Sequence, residues 1–250
     1  MGKLKNVKRI VIKIGSSTII DNDRGLDKQF ISNISGQVAR LRKHYGTECV
    51  IVSSGAVASG RLLEKSLDKS MCDTQVAAIF GQPTLTSEWI KAFKKRKILA
   101  GQALYTDSDL VTAPKPLNRA MGFGVVIINE NDAVYDRELK AFKVSADNDL
   151  LSFFIATIVG ADLLIFLTTV PGVFDERGKL LSIIRSKDKV VLRNDGKSEL
   201  GTGGMDSKLR VSLDFAKRGK IAIIADGRGK NIIGKIMSGE KLGTWITDRI

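Results

Sequence analysis

Val7-Lys8-Arg9-Ile10-Val11-Ile12-Lys13-Ile14-Gly15-Ser16-Ser17 sets the pattern for the whole chain. The apolar, β-branched run from Val7 to Ile14 predicts a buried strand, and Gly15 marks where it ends. Phe30, Ile34, Val38 and Leu41 then recur at helical spacing, predicting a helix from about Leu26 to Tyr45. Cys49–Val52 predicts the next strand, which runs into Ser53-Ser54-Gly55-Ala56 and a helix to about Leu63. Val76, Ile79, Phe80, Trp89, Ile90 and Phe93 line a longer helical region, which Pro83 should restart or kink.

The alternation continues downstream. Strands are predicted over Ile98–Tyr105 and Gly124–Ile128, the second ending in a polar loop, Asn129-Glu130-Asn131-Asp132. Val134–Val144 has the alternation of a short hairpin, Asp149–Val159 that of a helix, and Asp162–Thr168 that of an apolar strand. A hairpin is expected over Val173–Ile184, turning at Asp175-Glu176-Arg177-Gly178. Gly201–Gly204 opens a helix to about Lys217, Lys220–Ala225 is the last core strand, Asn231–Met237 a short helix and Thr244–Thr247 an edge strand. Alternation of this kind implies an α/β fold, with a largely parallel sheet between two helical layers. Ligands in such sheets bind beyond the carboxyl ends of the strands, here just after Ile14, Val52, Ile128 and Leu167.

The loops at those places carry the chemistry. Lys13 followed by Gly15 sets a fixed positive charge beside exposed backbone N–H groups, which suits a phosphate; the alternative is a strand-end lysine reaching to water. Ser54-Gly55-Ala56 repeats the device on the next strand. Asn129–Asp132 can grip an amine, a carboxylate through water, or a metal, or can form an Asx-turn. Asp147-Asn148-Asp149 stands before an apolar helix, where an aspartate can cap the helix, orient a lysine or hold Mg²⁺. Gly201-Thr202-Gly203-Gly204-Met205-Asp206-Ser207-Lys208 lets the backbone approach phosphates at a helix N-terminus, with Lys208 in reach of the same anion. Two lysines on glycine-rich anion sites can flank one transferring phosphoryl group. A carboxylate acceptor would need no general base, because it is already ionised.

In this order, the motifs at Lys13-Ile14-Gly15, Ser54-Gly55-Ala56, Asn129–Asp132, Asp147–Asp149 and Gly201–Lys208 resemble the amino acid kinase family over nearly the whole chain, and within it the glutamate 5-kinases. The resemblance implies a three-layer αβα sandwich with a mainly parallel eight-stranded sheet. It implies one domain over residues 1–250, with an acceptor lobe to about residue 150 and a nucleotide lobe from about 151. It implies ATP with Mg²⁺, and transfer of the γ-phosphate to the γ-carboxylate of L-glutamate as the first step of proline synthesis. Lys13, Lys208 and Asp147 would be catalytic, and Ser54, Asp132 and Asn148 would bind glutamate. Lys13, Gly15, Thr168, Thr169, Thr202, Gly203, Gly204, Met205, Asp206, Ser207 and Lys208 would contact the nucleotide. Asp147 and Asp149 are the candidates for a protein ligand to Mg²⁺, which otherwise arrives with ATP. Family members assemble as homodimers or homotetramers, and a glutamyl phosphate reductase would act downstream. Many carry a C-terminal PUA domain, which is not expected in a chain ending at Ile250. Two departures stand out: Thr168-Thr169 replaces the usual Thr-Asp, and Pro114-Lys115-Pro116 replaces much of the charged lid and helix within Tyr105–Met121. These leave a sister kinase with another acceptor as one alternative, and a non-catalytic small-molecule sensor as another.

Composition narrows the alternatives. One histidine, His44, argues against a serine triad or a histidine-based zinc site. Gly196-Lys197-Ser198 lacks the Walker glycine, since Val191 stands in its place, and Asp206 breaks the dinucleotide fingerprint. Cys49 and Cys72 have no metal-ligand spacing and form no disulfide framework, which with a charged N-terminus predicts a cytoplasmic protein. No stretch approaches the roughly 20 apolar residues of a membrane span. The net charge of +13 and the run Lys91–Lys97 raise nucleic-acid binding, but only 6% of residues are aromatic, and a single aromatic, Phe93, in that run makes no stacking surface.

Overall fold

The computed structural model describes residues 4, 7–21, 25–106, 109, 113–134, 148–192 and 204–249. In chain order the elements are β1 (Arg9–Ile14), α1 (Ser16–Ile19), β2 (Ile20–Asp21), β3 (Gly25–Leu26), α2 (Lys28–Tyr45), β4 (Glu48–Ser53), α3 (Ala56–Leu63), α4 (Met71–Lys94), β5 (Leu99–Tyr105), α5 (Pro114–Phe123), β6 (Gly124–Glu130), α6 (Asn148–Ile158), β7 (Leu163–Thr168), β8 (Ile183–Ile184), α7 (Met205–Lys217), β9 (Ile221–Asp226), α8 (Ile232–Ser238) and β10 (Thr244–Ile246). An eight-stranded sheet runs β5-β6-β4-β1-β7-β9-β10-β8. Its ladders are parallel except where β10 meets β9.

Alternation along the strands separates two cores. Ile10, Ile12 and Ile14 of β1 enter one, packed against Phe30 and Val38 of α2, Leu85 and Trp89 of α4, and Ile236 of α8. Val11 enters the other, packed with Leu117 of α5, Leu151 of α6 and Phe215 of α7. Lys13 shares the face of Val11, so it stands where a core side chain would otherwise sit under α6 and α7.

The predicted strands and helices lie close to the observed ones, with differences that have physical causes. Helix α2 starts at Lys28 because the Asp27 side chain accepts the Phe30 N–H at 2.8 Å. Helix α4 continues through Pro83 without restarting. The proline ring is on the exposed face, where the carbonyl it leaves unpaired can meet water. Asn129 and Glu130 are not loop residues; they extend β6 and are buried, because α4 offers Asn129 a polar partner. Strand β10 is not an edge: β8 pairs outside it, and Trp245 is fully buried. The expected hairpin over Val173–Ile184 reduces to a Phe174–Leu180 bridge, and Ile183–Ile184 becomes the outer strand. Helix α5 forms over Pro114–Phe123, where a helix was expected to be largely missing, and proline is well tolerated in a first helical turn. The predicted hairpin over Val134–Val144 falls mainly outside the described residues.

Two glycines bring α3 against α4. A Cβ at Gly60 would overlap the Ala77 carbonyl oxygen, and one at Gly81 would overlap the Ala56 carbonyl oxygen. The backbones therefore approach more closely than any larger residue permits, which holds the Ser54-Gly55-Ala56 turn against α4. Alanine in place of glycine normally strengthens a helix by about 0.5–1 kcal/mol. Gly81→Ala is expected to lower the melting temperature instead. Gly122→Ala in α5, where a Cβ meets only a Glu48 carboxylate oxygen at 3.9 Å, is expected to raise or preserve it.

Candidate active site

The carboxyl ends of β1, β4, β6 and β7 bring the predicted loops to one edge of the sheet. Lys13 comes from β1. Asp149 lies in the first turn of α6, where the helix dipole favours a carboxylate. Lys208 lies in the first turns of α7, where the dipole disfavours a cation. The Lys13 ammonium is 2.6 Å from one Asp149 oxygen, and that of Lys208 is 3.0 Å from the other. The Asp149 side chain is fully buried, and those of Lys13 and Lys208 are 6% and 11% exposed.

Burial pushes the Asp149 carboxyl up, but the charges of Lys13 and then Lys208 outweigh it and hold it below the ordinary carboxylate value. Two ammonium groups and one carboxylate leave one net positive charge, aimed with two helix N-termini at the same edge of the sheet. This suits an oxyanion.

The other candidate residues surround this cluster or fall outside the described residues. Asp147, Thr202 and Gly203 fall outside. Among the described residues, the carboxylate that joins the two lysines is Asp149. Gly15 caps α1, and a Cβ there would lie 4.0 Å from the Lys13 ammonium nitrogen. Ser54 donates its backbone N–H to Ile14 O at 3.1 Å, tying the turn after β4 to the end of β1. Gly55 has φ of 111°, a conformation that favours glycine. Asp132 lies in the turn after β6, which is fixed where Asn131 N–H donates to Tyr105 O at 3.0 Å. Asn148 begins α6, and its buried Oδ1 has no partner among the described residues.

At the start of α7, a Cβ at Gly204 would meet nothing within 4 Å among the described residues. Met205, Ser207 and Lys208 follow in the first turns of α7. Asp206 lines an open groove of about 470 Å³ between α7 and Val190–Leu192. The Thr168 hydroxyl is held by Val170, donating to its carbonyl at 2.9 Å and accepting its N–H at 3.0 Å. Thr169 O accepts from Arg228 at 2.7 Å. Sequence reasoning passed over Arg228. It grips Asp226 through Nε at 2.9 Å and Nη2 at 2.8 Å, and so ties the loops after β7 and β9 together.

Among the described residues no cluster of acidic, histidine or cysteine side chains could hold a metal. Each Asp149 oxygen already meets an ammonium group, an arrangement that suits an oxyanion at this edge rather than a cation held by Asp149. Cys49 is no nucleophile, since burial pushes its thiol up to about 12. His44 is exposed in the last turn of α2. Within the basic run, Arg96 is a structural clamp from α4 to α2, donating to Ala92 O at 2.7 Å and Ser32 O at 2.6 Å. No helix among the described residues is long and apolar enough to cross a membrane.

An edge that collects positive charge for an oxyanion, on a mostly parallel αβα sandwich, is the arrangement of a phosphoryl-transfer protein. Residues 8–225 match the model of the amino acid kinase family, and the chain belongs to that family. It is 38% identical over 261 residues to the glutamate 5-kinase of Marinomonas sp. (strain MWYL1), covering 98% of this chain and 68% of that protein. It is 36% identical over 258 residues to the glutamate 5-kinase of Citrifermentans bemidjiense, covering 96% of this chain and 68% of that protein. Among solved structures, carbamate kinase from Giardia lamblia bound to AMP-PNP superposes with a TM-score of 0.69 at 17% identity, covering 97% of this chain and 99% of that one. UMP kinase from Bacillus anthracis gives 0.66 at 15% identity, covering 98% and 97%. The structural likenesses carry the fold, and the sequence relatives make the chain a kinase.

Removing a partner from a buried ionic cluster leaves uncompensated charge, at about 3–5 kcal/mol. Asp149→Asn is therefore expected to lower the melting temperature at neutral pH. Because the folded carboxyl sits below its ordinary value, its contribution is complete above the unfolded value of roughly 4 and is lost as pH falls through the folded one. The gap between Asp149→Asn and the unaltered chain should shrink in that acid window, as thermal melts across pH would record.

Proposed function

We propose that the chain transfers the γ-phosphate of ATP to the γ-carboxylate of L-glutamate. The observation that carries this reading is the Lys13–Asp149–Lys208 cluster at the sheet edge. The 36–38% identity to glutamate 5-kinases across almost the whole chain supports the choice of acceptor.

In the step itself, a carboxylate oxygen of glutamate attacks the γ-phosphorus. The bond from that phosphorus to the bridging oxygen breaks, and ADP leaves with the electron pair. The acceptor is already ionised, so no proton has to be removed. Lys13 and Lys208 offset the charge on the transferring group, while Asp149 holds both ammonium groups in place. Mg²⁺, when bound with the nucleotide, neutralises phosphate charge and keeps the phosphates aligned. Ser54, Asp132 and Asn148 bind glutamate in this reading. The lobe from about residue 151, with Thr168, Thr169 and Gly204–Lys208, takes the nucleotide.

The direct test is glutamate-dependent ADP release from MgATP, with hydroxylamine trapping the acyl phosphate as a hydroxamate. Turnover with other acids but not with glutamate would replace the acceptor, and no turnover with any acid would favour a sensor. Lys13→Ala and Lys208→Ala should each lower kcat by roughly 10²–10³-fold, the loss typical of one charge-stabilising donor, with less change in glutamate KM. Asp132→Ala should mainly raise the glutamate KM; an unchanged KM would remove it from the acceptor site.

A further inference from the structure

Helix α4 carries a buried polar stripe on an otherwise apolar face. Gln82, Thr86 and Trp89 lie at positions i, i+4 and i+7 and are 8%, 5% and 0% exposed. Trp89 Nε1 donates to Ser53 Oγ at 3.1 Å, and Ser53 Oγ donates to Ser54 O at 3.3 Å. Asn129 Nδ2 donates to Gln82 Oε1 at 2.7 Å, and Gln82 Nε2 donates to Thr86 Oγ1 at 3.0 Å. Ser53 is the last residue of β4, directly before Ser54. Asn129 lies near the end of β6, three residues before Asp132. One helix thus holds the two strand ends whose loops carry Ser54 and Asp132.

Core packing alone does not account for this stripe. Side-chain to side-chain hydrogen bonds between buried amides are scarce, and apolar residues would fill the same space without desolvating polar groups. The chain of bonds also leaves something over. Asn129 is 1% exposed, and its Oδ1 has no partner among the described residues. A buried acceptor left without a donor is costly unless a ligand or water supplies one.

We propose that Gln82 is a positioning residue for acceptor recognition: it fixes the Asn129 carboxamide with Oδ1 turned to receive a donor, and it sets the strand end that leads to Asp132. The donor has the chemistry of an ammonium group, acting directly or through one water, so the stripe selects acceptors that carry an amine beside their carboxylates. This rests on the glutamate reading, which supplies such a group. Gln82 acts through Asn129 and does not touch the phosphate.

Gln82→Met keeps the length of the side chain and removes both hydrogen bonds. In the full chain it should raise the glutamate KM by roughly tenfold, the worth of a buried hydrogen bond, with MgATP KM and kcat within about threefold of the unaltered chain. It should also narrow the preference for glutamate over glutarate, which lacks the amine. Gln82→Glu, which keeps an acceptor for Asn129 Nδ2, should restore most of the glutamate KM. An equal fall of kcat for both substrates, or an unchanged glutamate KM and selectivity in Gln82→Met while the unaltered chain turns over glutamate, overturns this inference alone. Absence of glutamate turnover by the unaltered chain overturns the substrate reading, and the inference falls with it.

Discussion

The ionic cluster of Lys13, Asp149 and Lys208 constrains everything around it, because none of its members is tolerable alone. A buried ammonium or carboxylate without a partner costs several kcal/mol. Here one carboxylate serves two lysines at 2.6 and 3.0 Å. The three residues come from β1, α6 and α7, so the cluster forms only when both helices are docked on the sheet. It is a device for charge placement and also a fastening between elements far apart in sequence.

Its geometry follows from the parity of β1. Residues 10, 12 and 14 face the α2 and α4 side, and residues 11 and 13 face the α6 and α7 side. A shift of one residue in register would send Lys13 into the opposite core. The parallel register with β4 and β7 prevents this, since Lys13 is held between Val52 and Phe166. Lys208, placed where its helix dipole disfavours a cation, is held there by Asp149. A tension at a helix N-terminus thus becomes a concentration of positive charge at the carboxyl ends of the strands.

Much of this was legible in the sequence. Strand and helix periods mark nearly every central element, and the polar or glycine-rich loops fall at strand ends where parallel sheets bind ligands. The order of the sheet was not legible, because pairing between distant strands leaves no local signal. The placement of β10 shows this. It reads as an edge strand, yet it turns antiparallel to β9 through Gly243, where a Cβ would overlap the Ile224 carbonyl oxygen, and β8 then covers it. The part Asp149 plays was not legible for a different reason: which carboxylate of this stretch faces Lys13 depends on where α6 starts, and sequence signals locate a helix start only to within a residue or two. Asn129 reads as a loop residue because its polarity suggests exposure, while the partner that lets it be buried lies 47 positions earlier.

In the proposed reaction the two faces of the sheet would divide the work. Charge for the transferring group would come from the α6 and α7 side, through Lys13, Asp149 and Lys208. The loops proposed to bind the acceptor are supported from the α4 side, through Ser53 and Asn129. Both sets reach the same edge because adjacent residues of a strand point to opposite faces. Phosphate charge and acceptor geometry can therefore be tuned by different helices. A change of acceptor within this architecture would fall on α4 and the ends of β4 and β6, while the lysine–aspartate cluster could stay as it is. The close glycine contact between α3 and α4 fits that division. It sets the Ser54 turn against the helix that also holds Asn129, so the two loops share one support.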